Sequence, residues 1–372
     1  MIWMYQQPVQ IYFGDNERFK LREIMKRCGF KRAVFVCDKE LVGNTAVSEL
    51  INHVSDLIVA SYSDVRPNPT VVNVDDCANL IRKGSADCVI ALGGGSTMDC
   101  AKAAAAIAMN SESITRYHGT GTALPVNGLP VIQIPSTAGT GSEVTAISVL
   151  TDEAKGLKTA IGSDSLYAMV AIVDPVLTCT MPSRVAAITG LDVLAHAIEG
   201  YQSINHQPLC DLFCIEAVKL VFTNLRSACQ SVLFIEAKEK MALASLLAGL
   251  GFNLPKTGPS HACSYVLTNQ YHIPHGEACA LTLDYFLEII GTADDGRMLQ
   301  MAKACGFESV SAIAKALRDL KKDLGIRMDL KDFKLNDEEI DALVEASQHP
   351  NMLNSPVKIT KRMLRDLYNS MR

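Results

Sequence analysis

Short apolar runs alternate with helix-type patterns through the first half of the chain. The runs are rich in β-branched residues and occupy residues 33–37, 57–61, 88–92 and 131–134. Between them lie stretches in which apolar residues recur every three or four positions, as in an amphipathic helix. Such alternation is typical of parallel strands joined by crossover helices. The pattern predicts an α/β domain with a parallel sheet over residues 1–180.

Beyond Pro182 the β-branched runs fade and long helical patterns replace them. These patterns occupy residues 184–201, 209–225, 235–252 and 310–324. The Asp174-Pro175 and Met181-Pro182 steps favour a boundary nearby, because the residue before a proline resists helical conformation. The sequence therefore predicts a second, all-α domain over residues 181–372.

Composition excludes several classes of function. The chain has 372 residues, of which 48% are hydrophobic and 20% charged, and a net charge of -5. No block of Lys and Arg offers a surface for nucleic acid or an anionic membrane. The most hydrophobic stretch, residues 241–254, is too short to span a bilayer, and the first ten residues lack a signal-peptide pattern. We therefore expect a cytoplasmic protein that acts on small molecules.

The twelve cysteines do not suggest a disulfide framework. They are scattered along the chain, and several lie inside apolar runs, as Cys37, Cys88 and Cys279 do. Such positions are typical of reduced, buried thiols in a cytoplasmic protein.

Two loops rich in small residues are candidates for binding a dinucleotide. Gly93, Gly94, Gly95 and Ser96 follow the run at residues 88–92 and precede an Ala-rich helical pattern. Glycines at such a turn let backbone N–H groups approach a pyrophosphate at the positive end of a helix dipole. A merely tight connection has the same pattern. The second loop, IPSTAGTGSE at residues 134–143, adds hydroxyl donors at Ser136, Thr137, Thr140 and Ser142.

Asp38 indicates which dinucleotide is bound. It directly follows the run at residues 33–37, where a carboxylate can accept hydrogen bonds from a ribose 2′-hydroxyl and repel a 2′-phosphate. This position predicts NAD over NADP. The alternative is that Asp38 caps the next helix.

Four side chains in the second half are candidate metal ligands. Asp192 and His196 are four residues apart and share one helix face, and His261 and His275 follow. One carboxylate and three imidazoles suit a divalent transition metal with a position open for substrate. Alternatively, Asp192 and His196 form an ordinary local pair. The histidines expected to lie outside the site are His53, His118, His206 and His349, while His272 has no partner at ligand spacing.

Together these motifs resemble the iron-containing, or group III, alcohol dehydrogenases over nearly the whole chain. Five motifs occur in the family's order: Asp38, GGGSTMDCAK at residues 93–102, IPSTAGTGSE at 134–143, GLDVLAHAIEGY at 190–201, and His261 with Pro274-His275-Gly276. The resemblance implies an N-terminal dinucleotide-binding α/β domain, a helical C-terminal domain and an active site in the cleft between them.

The resemblance also implies the roles of individual residues. The implied metal ligands are Asp192, His196, His261 and His275. Iron follows from the resemblance alone, since the ligand set suits Fe(II) and Zn(II) equally. The implied nucleotide contacts, taken with Asp38 and Ser136, are Asn68, Gly94, Gly95, Ser96, Asp99, Thr137, Thr140 and Lys158.

One position departs from the family's pattern. Many members have a further histidine one helical turn after the residue that matches His261, whereas this chain has Tyr265. Tyr265 could pass a proton through its hydroxyl, or it could simply pack in the wall of the site. The Ser264-Tyr265 pairing is similar to that of members acting on sugar acids or phosphonate aldehydes. We thus expect His261 and Tyr265 at catalytic positions for hydride transfer between nicotinamide C4 and a metal-bound alcohol or aldehyde.

Two alternatives remain open. A sugar-phosphate cyclase resembling dehydroquinate synthase would share the architecture, but its pocket should contain Lys and Arg, which are absent from residues 258–280. A non-catalytic NAD-binding protein is the second, and the intact metal set argues against it. We expect a homo-oligomer, such as a dimer, because relatives commonly oligomerise.

Overall fold

The chain forms two compact units. The computed structural model describes residues 2–230, 234–293 and 295–372. One unit runs from Gln6 to Met181, and the other consists of Pro182–Arg372 together with the first few residues, up to Tyr5. The division between the long segments thus lies at a Met-Pro step, where the proline disfavours continued helix in the residue before it.

The first unit is built on a six-stranded sheet. In chain order its strands are β1 (Gln10–Phe13), β2 (Ala33–Cys37), β3 (Ile58–Tyr62), β4 (Cys88–Gly93), β5 (Val131–Pro135) and β8 (Val170–Val173). Their spatial order is β1-β8-β5-β4-β2-β3, and every pair in it is parallel. The predicted parallel sheet is confirmed. Strands β2 and β4 are wholly buried, as expected for strands with helices on both faces.

An antiparallel pair, β6 (Ile147–Asp152) with β7 (Leu157–Gly162), was not predicted from the sequence. Buried and half-buried residues alternate along β6, which indicates that only one of its faces is covered. The continuous apolar runs that revealed the main sheet are therefore missing here. This hairpin follows the loop at residues 134–143 directly and supplies Lys158 to the nucleotide-side residues described below.

Helices cover the sheet on both faces. They are α1 (Leu21–Cys28), α2 (Thr45–Val54), α3 (Val71–Gly84) and α4 (Gly95–Ile107). One buried cluster contains side chains of α3 and α4, and the other contains side chains of α1 and α2. The run of alanines at residues 103–106 in α4 is completely buried, which allows this helix to pack closely.

The described residues of the second unit form helices and their connecting loops, with no β-strand. Its helices are α5 (Ser183–Gln202), α6 (Pro208–Gln230), α7 (Ile235–Phe252), α8 (Pro259–Tyr271), α9 (His275–Ala293), α10 (Arg297–Ala304), α11 (Val310–Asp323), α12 (Asp337–Ala346) and α13 (Lys361–Met371). The predicted all-α character is confirmed. Every residue of α5 from Gly190 to Gln202 is buried, because α6, α7, α8 and α9 pack around it. Among the described residues, no helix is long and apolar enough to cross a membrane.

Candidate metal and nucleotide sites

Helix α5 places three charged or titratable side chains in the interior of the helical unit. Asp192, His196 and Glu199 follow one another at intervals of four and three residues, so they lie along one face of the helix. All three are at least nine-tenths buried, and Glu199 is completely buried. Buried charges are retained in proteins only where partners or a metal ion compensate their desolvation. The helix therefore carries a polar site and not ordinary core residues.

The carboxylate of Glu199 holds the beginning of helix α8. It accepts hydrogen bonds from the backbone N–H groups of Gly258 at 2.8 Å and Ser260 at 2.5 Å. These groups belong to the helix start, where backbone donors have no partner within the helix. A carboxylate there also interacts favourably with the positive end of the helix dipole. Glu199 thereby fixes α8 against α5.

The same carboxylate orients the imidazole of His261. The Nδ1 atom of His261 lies 2.5 Å from Glu199 Oε2, so Nδ1–H donates to the carboxylate. In the neutral imidazole this bond selects the tautomer in which Nε2 carries a lone pair. Nε2 is buried and has no hydrogen-bond partner among the described residues. A carboxylate behind a histidine whose other nitrogen is vacant is the usual arrangement of a metal-binding imidazole.

His275 is oriented in a similar way at the start of α9. The Ser264 hydroxyl donates to the His261 carbonyl at 2.7 Å, so its oxygen can accept from Nδ1–H of His275 at 3.3 Å. Gly276 allows this helix to approach α5, since a Cβ atom there would lie 2.3 Å from the carbonyl oxygen of Ile188. Nε2 of His275 therefore faces α5.

Four potential ligand atoms converge at this point. Asp192 Oδ1 lies 3.7 Å from His261 Nε2 and 3.9 Å from His275 Nε2, and Cys279 Sγ lies 3.8 Å from His275 Nε2. One ligand atom from each of the four residues lies within 4.8 Å of the others. Ligands of a tetrahedral ion with bonds near 2.0–2.1 Å are about 3.4 Å apart, so a small contraction would close this group around a divalent cation. The donor set and its geometry fit a metal ion.

His196 occupies a different place from the one its predicted role suggests. Its ring stacks on Phe252, with centroids 4.2 Å apart, and lies 4.5 Å from the His261 ring. Its Nδ1 is 3.8 Å from Asp192 Oδ2, the carboxylate oxygen that does not face the other ligand atoms. His196 thus adjoins the group without being one of its four members, and its ligation of the metal stays a prediction.

Tyr265 lies beside two histidines on the same side of the group. Its ring is stacked with that of His275 at 6.2 Å and lies 4.6 Å from the ring of His349. Burial raises the pKa of Tyr265, and burial lowers the pKa of His349, so near neutral pH both side chains are uncharged. The expectation that His349 lies outside the site does not fit this packing, because the turn before residues 350–354 brings it back to α8.

The remaining histidines expected outside the site lie elsewhere. Three of them pair through ring nitrogens with Phe19 O, Leu150 O or an Asp211 oxygen; they are His53, His118 and His206. His272 is the residue that ends α8, in a left-handed conformation with φ of 55°.

In the α/β unit the two glycine-containing loops lie against each other. Helix α4 begins with Gly94 as its N-cap and no side-chain cap, so its first N–H groups are left for a ligand. A Cβ atom on Gly95 would lie 2.5 Å from Cγ2 of Thr140, and one on Gly94 would lie 3.4 Å from Oγ1 of Thr137. The backbone N–H of Ser136 donates to Gly93 O at 2.9 Å. The predicted loops therefore form one continuous surface of small groups at the carboxyl ends of β4 and β5.

Three further predicted nucleotide residues meet although they are distant in the chain. The ammonium of Lys158 donates to Asn68 Oδ1 at 2.9 Å, and the Asn68 N–H donates to the Ser96 hydroxyl at 3.3 Å. Asn68 has a φ of 58°, a left-handed conformation that asparagine tolerates better than most residues. This chain of contacts links the antiparallel hairpin to the start of α4.

Asp99 and Asp38 have structural partners within the protein. Asp99 accepts hydrogen bonds from the Ser142 hydroxyl at 2.6 Å and from Val149 N–H at 2.8 Å, and so fastens the second loop to α4. Asp38 Oδ1 accepts from Glu40 N–H at 3.0 Å and caps the short 3-10 helix Lys39–Leu41. The capping alternative for Asp38 is thus realised, while contacts of either residue with a nucleotide stay predictions.

Sequence reasoning missed three residues of the helical unit's site. Glu199 lies seven positions after Asp192, and Cys279 lies four positions after His275. Both intervals place the second residue on the face of the first, so helical spacing could have revealed them. His349 carried no such signal, because helices α9 to α12 separate it from α8 in the chain.

The two halves of the chain match known families. Residues 8–175 match the iron-containing alcohol dehydrogenase family, and residues 186–371 match the Fe-containing alcohol dehydrogenase family, C-terminal. The chain belongs to the iron-containing alcohol dehydrogenase family.

Individual relatives agree with this assignment over the whole length. The chain is 36% identical over 360 residues to long-chain-alcohol dehydrogenase 1 of Geobacillus thermodenitrificans, covering 93% of this chain and 91% of that protein. The structure of sulfoacetaldehyde reductase from Bifidobacterium kashiwanohense in complex with NAD+ matches with a TM-score of 0.97 and 47% identity, over 100% of this chain and 99% of that one. An alcohol dehydrogenase from Oenococcus oeni matches with a TM-score of 0.92 and 32% identity over 100% of both chains.

The protein is accordingly an oxidoreductase of the metal-containing, NAD-linked alcohol dehydrogenase type. The predictions of family, fold class, enzyme class and cofactors are confirmed. This outcome favours the dehydrogenase over the cyclase and the non-catalytic NAD-binding protein.

Proposed function

We propose that this enzyme interconverts a short aldehyde bearing a sulfonate or similar anionic group and the corresponding alcohol, with NADH and NAD+ as the redox pair. The main support is the 47% identity and the TM-score of 0.97 to a sulfoacetaldehyde reductase over the whole chain. The Ser264-Tyr265 pair supports the same substrate class, because it resembles the pairing in relatives that act on anionic substrates. In the reductive direction, hydride from nicotinamide C4 adds to the carbonyl carbon and a proton adds to its oxygen.

In this proposal the helical unit holds the metal and the substrate oxygen. The proposed ligands are Asp192, His196, His261 and His275, with Fe2+ as the ion and Zn2+ as the alternative. When bound, a divalent ion supplies Lewis acidity to the substrate oxygen. Glu199 orients the ring of His261 and makes its metal-facing nitrogen a stronger ligand, because the carboxylate accepts the hydrogen bond from Nδ1–H, 2.5 Å away.

The α/β unit holds the nucleotide. The start of α4 and the glycine-containing loops provide backbone and hydroxyl donors for the pyrophosphate. Lys158 supplies the positive charge for a phosphate or ribose oxygen, and Asp38 favours NAD over NADP. The proposed contacts also include Asn68, Gly94, Gly95, Ser96, Asp99, Ser136, Thr137 and Thr140.

Tyr265 is proposed to deliver the proton. Its hydroxyl remains protonated near neutral pH because burial raises its pKa. The neighbouring His349 ring is neutral under the same conditions, since burial lowers its pKa, and can accept or return a proton. Replacement of Tyr265 by Phe removes the hydroxyl and keeps the ring packing, so it should lower kcat while the metal content is unchanged.

The cellular location and assembly belong to the same proposal. We expect a cytoplasmic homo-oligomer, such as a dimer, that binds neither nucleic acid nor membrane. Light scattering coupled to size-exclusion chromatography of the metal-loaded enzyme tests the assembly, and a monomer at micromolar concentration would contradict it.

The substrate test compares aldehydes of similar length by the absorbance of NADH. Sulfoacetaldehyde and phosphonoacetaldehyde are compared with uncharged propanal, using metal-loaded and chelator-treated enzyme. We expect kcat/KM for an anionic aldehyde to exceed that for propanal by about 100-fold, since a site built for a polar group discriminates strongly against an analogue without it. Equal or better turnover of propanal would refute the substrate class and leave the dehydrogenase assignment intact.

A further inference from the structure

We infer that Cys279 is a metal ligand, so that the ion is held by sulfur in addition to oxygen and nitrogen. The inference rests on the metal site of the proposed function and adds a ligand to it. The sulfur lies in the same compact group as the predicted ligands, whereas His196 lies beside that group.

The local geometry carries this inference. Cys279 and His275 are four residues apart on α9, so both side chains project from one face of the helix. The Sγ atom lies 3.8 Å from His275 Nε2, and zinc bonds of 2.3 Å to sulfur and 2.0–2.1 Å to nitrogen place two such ligands about 3.6 Å apart. The thiol is therefore positioned as a ligand would be.

A second observation points to the same spot. Nε2 of His261 is buried, is aimed at Asp192 Oδ1 3.7 Å away, and has no hydrogen-bond partner in the described part of the chain. A buried imidazole nitrogen without a partner, facing a carboxylate oxygen, is suited to bind a cation. A cation that meets this nitrogen, Asp192 and His275 also comes within reach of Cys279 Sγ, because all four ligand atoms lie within 4.8 Å of one another.

Binding of the metal ion to Cys279 releases one proton. Metal binding replaces the S–H bond of Cys279 with an S–metal bond, and the proton leaves to solvent. No electron is transferred. A thiolate ligand favours softer ions, so it shifts the selectivity of the site towards zinc relative to a set with oxygen and nitrogen alone.

Cobalt(II) provides a direct probe because a thiolate bound to it gives an intense charge-transfer band in the near ultraviolet. Full-length protein is stripped of metal and loaded with one equivalent of Co(II), beside the variants Cys279→Ser and Cys263→Ser. Cys263 is the matched control, since it is also a completely buried thiol, lies on the adjacent helix α8 and is outside the four-residue group. X-ray absorption of the zinc-loaded wild type counts the sulfur ligands without any substitution.

We expect the charge-transfer band in wild type and in Cys263→Ser and its loss in Cys279→Ser, with metal affinity lowered about 10- to 100-fold in that last variant. One sulfur neighbour at about 2.3 Å is expected in the absorption spectrum of the zinc-loaded protein. Stoichiometric Co(II) without the band, a band that survives in Cys279→Ser, or a zinc shell without sulfur overturns the inference and leaves the proposed metal site standing. Failure of wild type to bind Co(II) or Zn(II) at all overturns both.

Discussion

Replacement of Glu199 by Gln should weaken metal binding although Glu199 is not itself a ligand. The carboxylate uses Oε2 for Gly258 N–H and His261 Nδ1–H, and Oε1 for Ser260 N–H. A glutamine has only one oxygen to serve these donors and the backbone N–H of His261, which lies 3.4 Å from Oε2. Either its amide group takes the place of Oε1 and leaves Ser260 N–H unsatisfied, or it takes the place of Oε2, donates to Nδ1 of His261 and leaves Gly258 N–H unsatisfied.

The second arrangement weakens metal binding directly. An imidazole that accepts at Nδ1 carries its proton at Nε2, the atom that lies 3.7 Å from Asp192 Oδ1. A proton there must be removed before an ion can bind. Carboxylates behind metal-bound histidines contribute about 10- to 100-fold in affinity, which corresponds to about 1.4 to 2.8 kcal/mol. The unsatisfied backbone donor costs about 1 to 3 kcal/mol of folding stability in either arrangement.

The assay is competition with a fluorescent chelator for Zn(II), accompanied by thermal unfolding of the metal-free protein. Glu277→Gln is the matched control, because Glu277 is also a buried carboxylate, bonded to Arg184 at 2.6 Å and to the N–H of Arg327 at 2.8 Å. That variant should lose stability and keep its zinc affinity. Equal zinc affinity of Glu199→Gln and wild type, or equal losses in the two variants, would refute the assigned role of Glu199.

Three further changes test the α/β unit. Gly95→Ala places a methyl group against Thr140 and should raise the Kd for NADH about 10-fold. The double variant that also carries Thr140→Ser should recover part of this affinity. Tryptophan or nicotinamide fluorescence measures the Kd. Lys158→Met should raise the KM for NADH about 10-fold with little change in kcat or metal content, which steady-state kinetics and metal analysis check, and an unchanged KM would contradict it. Burial raises the pKa of Glu143 to about 7, above its ordinary value of 4.5, so its contribution to stability is present below pH 4.5 and is lost as the pH rises through 7. Glu143→Gln should remove up to about 3 kcal/mol of that pH dependence. Denaturant unfolding at pH 5 and pH 8 measures it. A difference in unfolding free energy between the two pH values as large as that of wild type would contradict this reasoning.

Much of the fold could be predicted from the sequence, because the burial of each strand and helix leaves a pattern of apolar residues. Strands covered on both faces need continuous apolar runs, and the runs at residues 33–37 and 88–92 became β2 and β4. Amphipathic helices show sustained periodicity, and the pattern at residues 310–324 became α11, which ends one residue earlier. The β6–β7 hairpin escaped notice because one covered face leaves only a weak alternation.

The site could be predicted only in part from the sequence, because some of its residues are brought together by contacts between helices. Asp192 and His261 follow from motif and spacing, yet the bond from Glu199 to His261 joins residues 62 positions apart. The same holds for the contact between Tyr265 and His349, which joins α8 to a distant loop. Spacing within one helix reports which side chains share a face, whereas contacts between helices depend on how these helices pack.

The proposed ligands differ in exposure, and this difference indicates from which side a substrate would reach the ion. The side chains of Asp192 and His261 are 5% and 3% exposed, whereas that of His275 is 30% exposed. Nδ1 of His261 lies 2.5 Å from the carboxylate of Glu199, while Nδ1 of His275 lies 3.3 Å from the hydroxyl of Ser264. A carboxylate partner makes an imidazole a stronger donor than a hydroxyl does. Within the proposed ligand set, His261 is thus the inner residue, and the accessible face of the group is the one at His275, where the ring of Tyr265 also lies.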